Sequence, residues 1–379
     1  FYLICTTVFN NKPKHEQRDS GRAERGELVN ASNVAIYKLS DAEFIDSTLE
    51  GQLPAAFSAI LKDYSTVSQA DVKIVFVVTY YRAGSSFLGE LLSQGPRTFF
   101  HFEPLIPFTV SGRIRRGRER HAFQLIEHLL RCQLEAVPLY TVWLENHGYY
   151  KFNHFLANIC EGGQSCSSPS HLSALCKRAS TQVFKFTRLY MRQVAVWLKR
   201  NPDIARSVRV LHLVRDPRAI YSSRRGLGWC TRNIDCDKPS ALCNQMRMDI
   251  EAFGELTGFL PATRMQRLRF EDLAWDAMNE TQRLYARLGL DYTTSVAQYV
   301  ANHTKATFKD IKDAHSTKRN TQNVPDQWKT KLSRKTIGVI EEECRDVLQS
   351  LGYELLVRGR DITKTKSLIL EDRSGGWLL

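Results

Sequence analysis

No two of the nine cysteines in this 379-residue chain are spaced C-x-x-C, which argues against zinc ribbons and thioredoxin-type redox sites. The pattern G-x-x-x-x-G-K-[ST] is missing too. Glu90 stands where its Lys would follow Gly89, which disfavours a Mg-dependent nucleotidase. There is no internal repeat, and no carboxylate cluster marks a metal site. Acidic residues are short against basic ones: 40 Asp+Glu face 53 Lys+Arg, a net charge of +13. With 43 % hydrophobic and 25 % charged residues the composition is ordinary, excluding intrinsic disorder, collagen and a polytopic membrane protein. The excess charge implies an anionic partner: nucleic acid, a membrane surface, an acidic polysaccharide or a polyphosphorylated cofactor.

Cysteines fall in two polar, loop-like clusters, Cys160/Cys166/Cys176 and Cys230/Cys236/Cys243, with Cys5, Cys132 and Cys344 apart. Disulfides are the expectation there, scattered cytosolic thiols the alternative. Sequons at Asn30, Asn279 and Asn302 support a secretory route. The apolar start FYLIC with Val8-Phe9 is too short to span a bilayer. It reads as the trailing edge of a truncated membrane anchor or as a frayed terminus.

Residues from about 10 to 70 are polar and lack apolar periodicity, so 1–70 are expected as a flexible stem. Ile74-Val75-Phe76-Val77-Val78 fits a strand buried on both faces of a parallel sheet. Gln182–Phe186, Val208–Val214 and Met265–Phe270 are further strands. Helices are expected from Phe87, over Thr187–Arg200, from Pro217 with Asp216 as cap, up to Gly289, and over Ser333–Leu351. The alternation predicts a three-layer α/β fold around a mostly parallel sheet. Its domain runs over 71–357, and 358–379 form a tail.

Two anion sites follow. Arg82-Ala83-Gly84-Ser85-Ser86-Phe87 joins a buried strand to a helix start, where free amides, two hydroxyls and a guanidinium converge. Arg215 ends a second strand, and Asp216-Pro217-Arg218 opens a helix carrying Ser223. Both lie on the carboxyl edge of the sheet, where α/β proteins bind ligands. Two sites on one edge suit a ligand phosphorylated at both ends.

These segments resemble a family. VTYYRAGSSFLGEL is similar to the 5′-phosphosulfate loop of Golgi carbohydrate sulfotransferases, and LHLVRDPRAIYSSR to their 3′-phosphate signature. His101-Phe102-Glu103-Pro104 and LRFEDLA resemble elements of the galactose/N-acetylglucosamine/N-acetylgalactosamine 6-O branch. The segment HSTKRNTQNVPDQWKTKL and the last 13 residues resemble the chondroitin 6-sulfotransferase group. Tyr80-Tyr81, Ala83 and Leu105-Ile106-Pro107-Phe108 depart from the family's usual forms.

The resemblance implies a luminal Golgi enzyme with a P-loop-like phosphosulfate loop and a single membrane anchor. It would move sulfate from 3′-phosphoadenosine 5′-phosphosulfate (PAPS), without a metal, to a sugar 6-hydroxyl of a glycan or glycosaminoglycan. N-acetylgalactosamine of chondroitin is the expected acceptor; galactose or N-acetylglucosamine of keratan-type or glycoprotein glycans is the alternative. Donor-binding residues are then Tyr81, Arg82, Ala83, Gly84, Ser85, Ser86, Phe87, Arg215, Asp216, Pro217, Arg218 and Ser223. Arg82 steadies the leaving phosphate, and Glu103 takes the hydroxyl proton, with His101 as the second choice. Lys185 and Arg188 match a K-x-x-R element and read as pocket-lining or structural; Arg269, Glu271 and Asp272 read as an internal network. The run Gly112–Arg120, GRIRRGRER, offers Arg113, Arg115 and Arg116, with His101, to an anionic glycan. It lacks the interleaved aromatics and recognition motif of a nucleic-acid binder. A nucleotide-dependent kinase and a non-catalytic acidic-glycan-binding protein are the rival readings.

Overall fold

The computed structural model describes residues 61–109, 112–160, 168–231, 233–305, 318, 320–356 and 377–378. The expected stem lies almost wholly outside these residues, as does most of the tail. Six strands form one sheet: β1 Lys73–Val78, β2 Thr98–His101, β3 Thr181–Phe186, β4 Val208–Val214, β5 Met265–Arg269 and β6 Trp377–Leu378. Their order is β2-β3-β1-β4-β5-β6. The first five are parallel, and β6 pairs antiparallel with β5 at the edge.

The principal helices are α1 Ser85–Ser93, α2 Arg120–Leu130, α3 Met191–Arg200, α4 Pro217–Arg224, α5 Pro239–Glu255, α6 Phe270–Trp275, α7 Ala277–Leu288, α8 Arg334–Glu343 and α9 Arg345–Ser350. Strand side chains alternate between faces, so β1 feeds two cores. Ile74, Phe76 and Val78 pack with Phe123 of α2 and Val194, Trp197 and Leu198 of α3. Val75 and Val77 pack with Leu88 and Leu91 of α1 and Leu284 of α7. The three-layer α/β expectation is therefore met. Each such fully buried side chain contributes about 1.5–3 kcal/mol. A third core beyond the carboxyl end of the sheet joins Tyr80, Val214 and Ile220 to α5, α8 and α9.

Two helix expectations are corrected. The helix expected over Thr187–Arg200 starts at Met191, because Thr187 and Arg188 turn their side chains to Glu103 instead. The helix expected over Ser333–Leu351 divides at Cys344, whose sulfur is bonded to Cys243 of α5. Among the described residues the other bridges are Cys132–Cys176 and Cys230–Cys236. Disulfides are thus present, but Cys176 and Cys243 sit on helices and bond outside their sequence clusters. Cys5, Cys166 and the Cys160 side chain lie outside the described residues. Asn279 and Asn302 are exposed, and Asn30 is outside the described residues. Among the described residues no helix is long and apolar enough to cross a membrane.

Candidate active site

After β1 the chain moves toward β2 on one side of the sheet, and after β4 toward β5 on the other. A crevice opens where neighbouring strands send their connections apart. Each parallel strand delivers site residues at or just beyond its carboxyl end: Arg82–Phe87 after β1, Glu103 after β2, Arg188 after β3, Arg215 after β4, and Phe270-Glu271 after β5.

The loop after β1 is bent by two left-handed residues, Arg82 at φ 70° and Gly84 at φ 90°. A Cβ on Gly84 would lie 2.1 Å from Cδ2 of Phe270, so only glycine lets the loop approach that ring. α1 follows directly, and its first-turn amides have no intrahelical acceptors. Ala83, Ser85 and Phe87 are buried in support, while Ser86 is half-buried and its hydroxyl accepts from Lys185 Nζ at 3.2 Å. The Tyr81 hydroxyl donates to the Gly112 carbonyl at 3.0 Å.

The two anion sites share one crevice. Arg82 Nε donates to Ser223 Oγ at 3.0 Å, and Arg215 Nη1 donates to the Arg82 carbonyl at 2.9 Å. Arg215 is 8 % exposed and lies over the Phe270 ring at 4.6 Å. Its Nε is buried without a hydrogen-bond partner among the described residues. A buried guanidinium with a vacant donor is costly unless an anion completes it.

Glu103 sits in the left-handed region at φ 43°. Such strain costs about 1–3 kcal/mol and concentrates at functional sites. Its carboxylate is paired with Lys185 Nζ at 2.9 Å and with Arg188 Nη1, and it accepts from the Thr187 hydroxyl at 3.1 Å. Burial would raise its pKa, but Lys185 and Arg188 override that and hold it at about 2. Lys185 is itself pushed down by burial. Lys185 and Arg188, expected as pocket-lining or structural, stand in the site against Glu103. Their signal was the placement of two cations at the carboxyl end of a buried strand.

Several assignments are corrected. Arg218 is fully buried, pairing with Asp216 at 2.8 Å and Glu341 at 2.6 Å, over the Trp328 ring. The Asp216 side chain accepts from the Arg218 amide and caps α4, as the sequence predicts, and Pro217 is buried at the helix start. Asp216, Pro217 and Arg218 therefore position Arg215 and Ser223 rather than offer side chains to a ligand. Arg113 is buried too, ion-paired with Asp249 at 2.5 Å and donating to the Thr79 carbonyl. It is a strut, not a glycan contact, whereas Arg115 and Arg116 are exposed. His101 stacks on Phe184 at 4.1 Å, and burial lowers its pKa to about 3. It is neutral and enclosed, neither base nor acceptor contact. The Arg269–Asp272 ion pair at 2.7 Å agrees with the internal network expected there.

Sequence comparison places the chain among known proteins. A family model described as "Sulfotransferase family" matches residues 75–294. The chain is similar to human carbohydrate sulfotransferase 5, 28 % identical over 321 residues, covering 74 % of this chain and 77 % of that one. It is similar to human carbohydrate sulfotransferase 1 at 25 % identity, covering 79 % and 84 %. Mouse carbohydrate sulfotransferase 3 is 23 % identical, with 80 % and 73 % covered.

Proposed function

The chain belongs to the sulfotransferase family, and from that premise we propose that it transfers sulfate from PAPS to the 6-hydroxyl of a glycan sugar, N-acetylgalactosamine of chondroitin. The observation that carries this reading is the contact between Arg82 and Ser223 at 3.0 Å, which merges two anion sites in one crevice beside Glu103. The relatives' names support a carbohydrate acceptor.

The residues fit such a donor. Arg215, with its vacant Nε, and Ser223 hold the 3′-phosphate. Arg82 and the first-turn amides of α1 hold the 5′-phosphate, where negative charge grows as the phosphate–sulfuryl bond breaks. PAPS supplies a sulfuryl group on a phosphate leaving group. Glu103 accepts the proton of the 6-hydroxyl as its oxygen bonds to sulfur. At a pKa of about 2, Glu103 is ionised but weakly basic. Lys185 touches both Glu103 and Ser86 of the donor loop. As Lys185 turns its charge toward an incoming sulfuryl group, Glu103 loses a counter-charge and its basicity rises. Arg115 and Arg116, exposed on the following loop, engage the anionic chain of the acceptor.

The same reading puts the catalytic body in the Golgi lumen, tethered through the stem to the membrane. Among the described residues, three disulfides and two exposed sequons suit that oxidising compartment.

The test is transfer of labelled sulfate from PAPS to a panel of desulfated chondroitin, keratan-type and glycoprotein glycans. The expected product is N-acetylgalactosamine 6-sulfate. Folded protein that transfers sulfate to none of them would refute the enzyme reading.

A further inference from the structure

Phe270 and Glu271 follow the end of β5, yet each reaches the loops of other strands. The Phe270 ring occupies the hollow left by the missing Cβ of Gly84, and its face carries the Arg215 guanidinium at 4.6 Å. One buried ring therefore touches the loop after β1 and the turn after β4. Glu271 is buried, and its two oxygens are divided between distant elements. One accepts the Asp216 amide at 3.0 Å, the residue after Arg215. The other accepts the Tyr353 hydroxyl at 2.7 Å, beyond the end of α9. Both side chains are buried, Phe270 6 % and Glu271 3 % exposed. Arg215, in turn, donates to the Arg82 carbonyl. A shift of Phe270 thus moves both anion sites, whereas a loss at Glu271 acts first on the Arg215–Asp216 turn and leaves the Gly84–Phe270 contact in place.

We propose that Phe270 and Glu271 are positioning residues that fix the two anion sites relative to each other, and that Glu271 gives the crevice its preference for a nucleotide phosphorylated at both 3′ and 5′ over one phosphorylated at 5′ alone. This inference rests on the sulfate-donor reading above, because it takes the 3′-phosphate to lie at Arg215.

The test uses the full chain and two probes, adenosine 3′,5′-bisphosphate and adenosine 5′-monophosphate, titrated calorimetrically. The wild type is expected to prefer the bisphosphate. Glu271→Ala is expected to cut that preference about tenfold, or about 1.4 kcal/mol, while changing monophosphate affinity less than about twofold. Glu271→Gln keeps an acceptor for the Asp216 amide and is expected to restore the wild-type ratio. Phe270→Ala is expected to weaken both nucleotides about tenfold, and Phe270→Leu much less. An unchanged ratio in Glu271→Ala, an equal loss for both nucleotides there, or wild-type affinities in Phe270→Ala would each overturn the proposal. Should Glu271→Ala not fold, Tyr353→Phe removes one of the same bonds, and a ratio unchanged in that variant would overturn it as well. A wild type without preference for the bisphosphate defeats the donor reading and this inference with it. A preserved preference with unresponsive variants defeats the inference alone.

Discussion

Arg82 and Ser223 stand 141 residues apart in sequence and meet through an Nε–Oγ hydrogen bond of 3.0 Å. The contact joins the loop after β1 to the helix after β4, and it makes one binding crevice of two strand ends.

Arg82→Ala should lower kcat/KM for PAPS about 100-fold, the scale for losing a fixed donor to a developing anion. Ser223→Ala should cost about tenfold, mostly in donor KM. Sulfate-transfer kinetics at varied donor concentration check both. If the two groups act as one unit, the double variant loses less than the product of the single losses.

Glu103→Gln should abolish turnover while adenosine 3′,5′-bisphosphate binds as well as before, or more tightly. The variant frees positive charge on Lys185 and Arg188 for an anion. Near-normal turnover would remove Glu103 as the base.

Two acids give stability an opposite dependence on pH. Glu103 has a folded pKa near 2 against an ordinary 4.5, so its contribution is present above pH 4.5 and is lost as pH falls toward 2. For Glu271, burial comes first and raises the pKa to about 7 from 4.5. Its contribution is full below pH 4.5 and is lost as pH rises through 7. Each is worth about 3 kcal/mol at most. Denaturant unfolding between pH 5 and 8 should show a decline in stability that Glu271→Gln flattens; equal slopes would contradict the assignment.

Arg113→Ala should destabilise the fold by about 3–5 kcal/mol, because it leaves buried Asp249 uncompensated. Arg115→Ala with Arg116→Ala should leave the melting temperature within a degree or so and raise acceptor KM several-fold, more at low salt. Thermal unfolding and acceptor titrations at two ionic strengths separate the two roles. An acceptor effect in Arg113→Ala without loss of stability would reverse the assignment.

Reducing or removing the Cys243–Cys344 bridge should lower stability by about 2–5 kcal/mol, since it closes a long loop. The bridge spans 101 residues and ties α5 to the junction of α8 and α9. Chemical denaturation of Cys344→Ala against wild type measures it, and a difference below about 1 kcal/mol would show that packing alone holds the junction.

Much of the fold was legible in the chain because its signals are local. A short run of β-branched and aromatic residues fits a strand buried on both faces, and β1 is one. Asp216 before Pro217 forecasts a capped helix, and α4 begins there. Gly84 between strand and helix forecasts a loop open to an anion, and its left-handed φ and contact with Phe270 explain why no side chain fits. The sequence likewise supplied the excess of positive charge. It did not sort that charge, because an arginine's role depends on partners far along the chain. Asp249, 136 residues away, draws Arg113 into the interior, and Glu341, 123 residues away, draws Arg218. Lys185 and Arg188 became part of the site only when β2 and β3 paired and set them against Glu103. The tertiary structure therefore separates arginines that brace the crevice from those that face it, since burying a cation demands a partner that only the folded chain brings within reach.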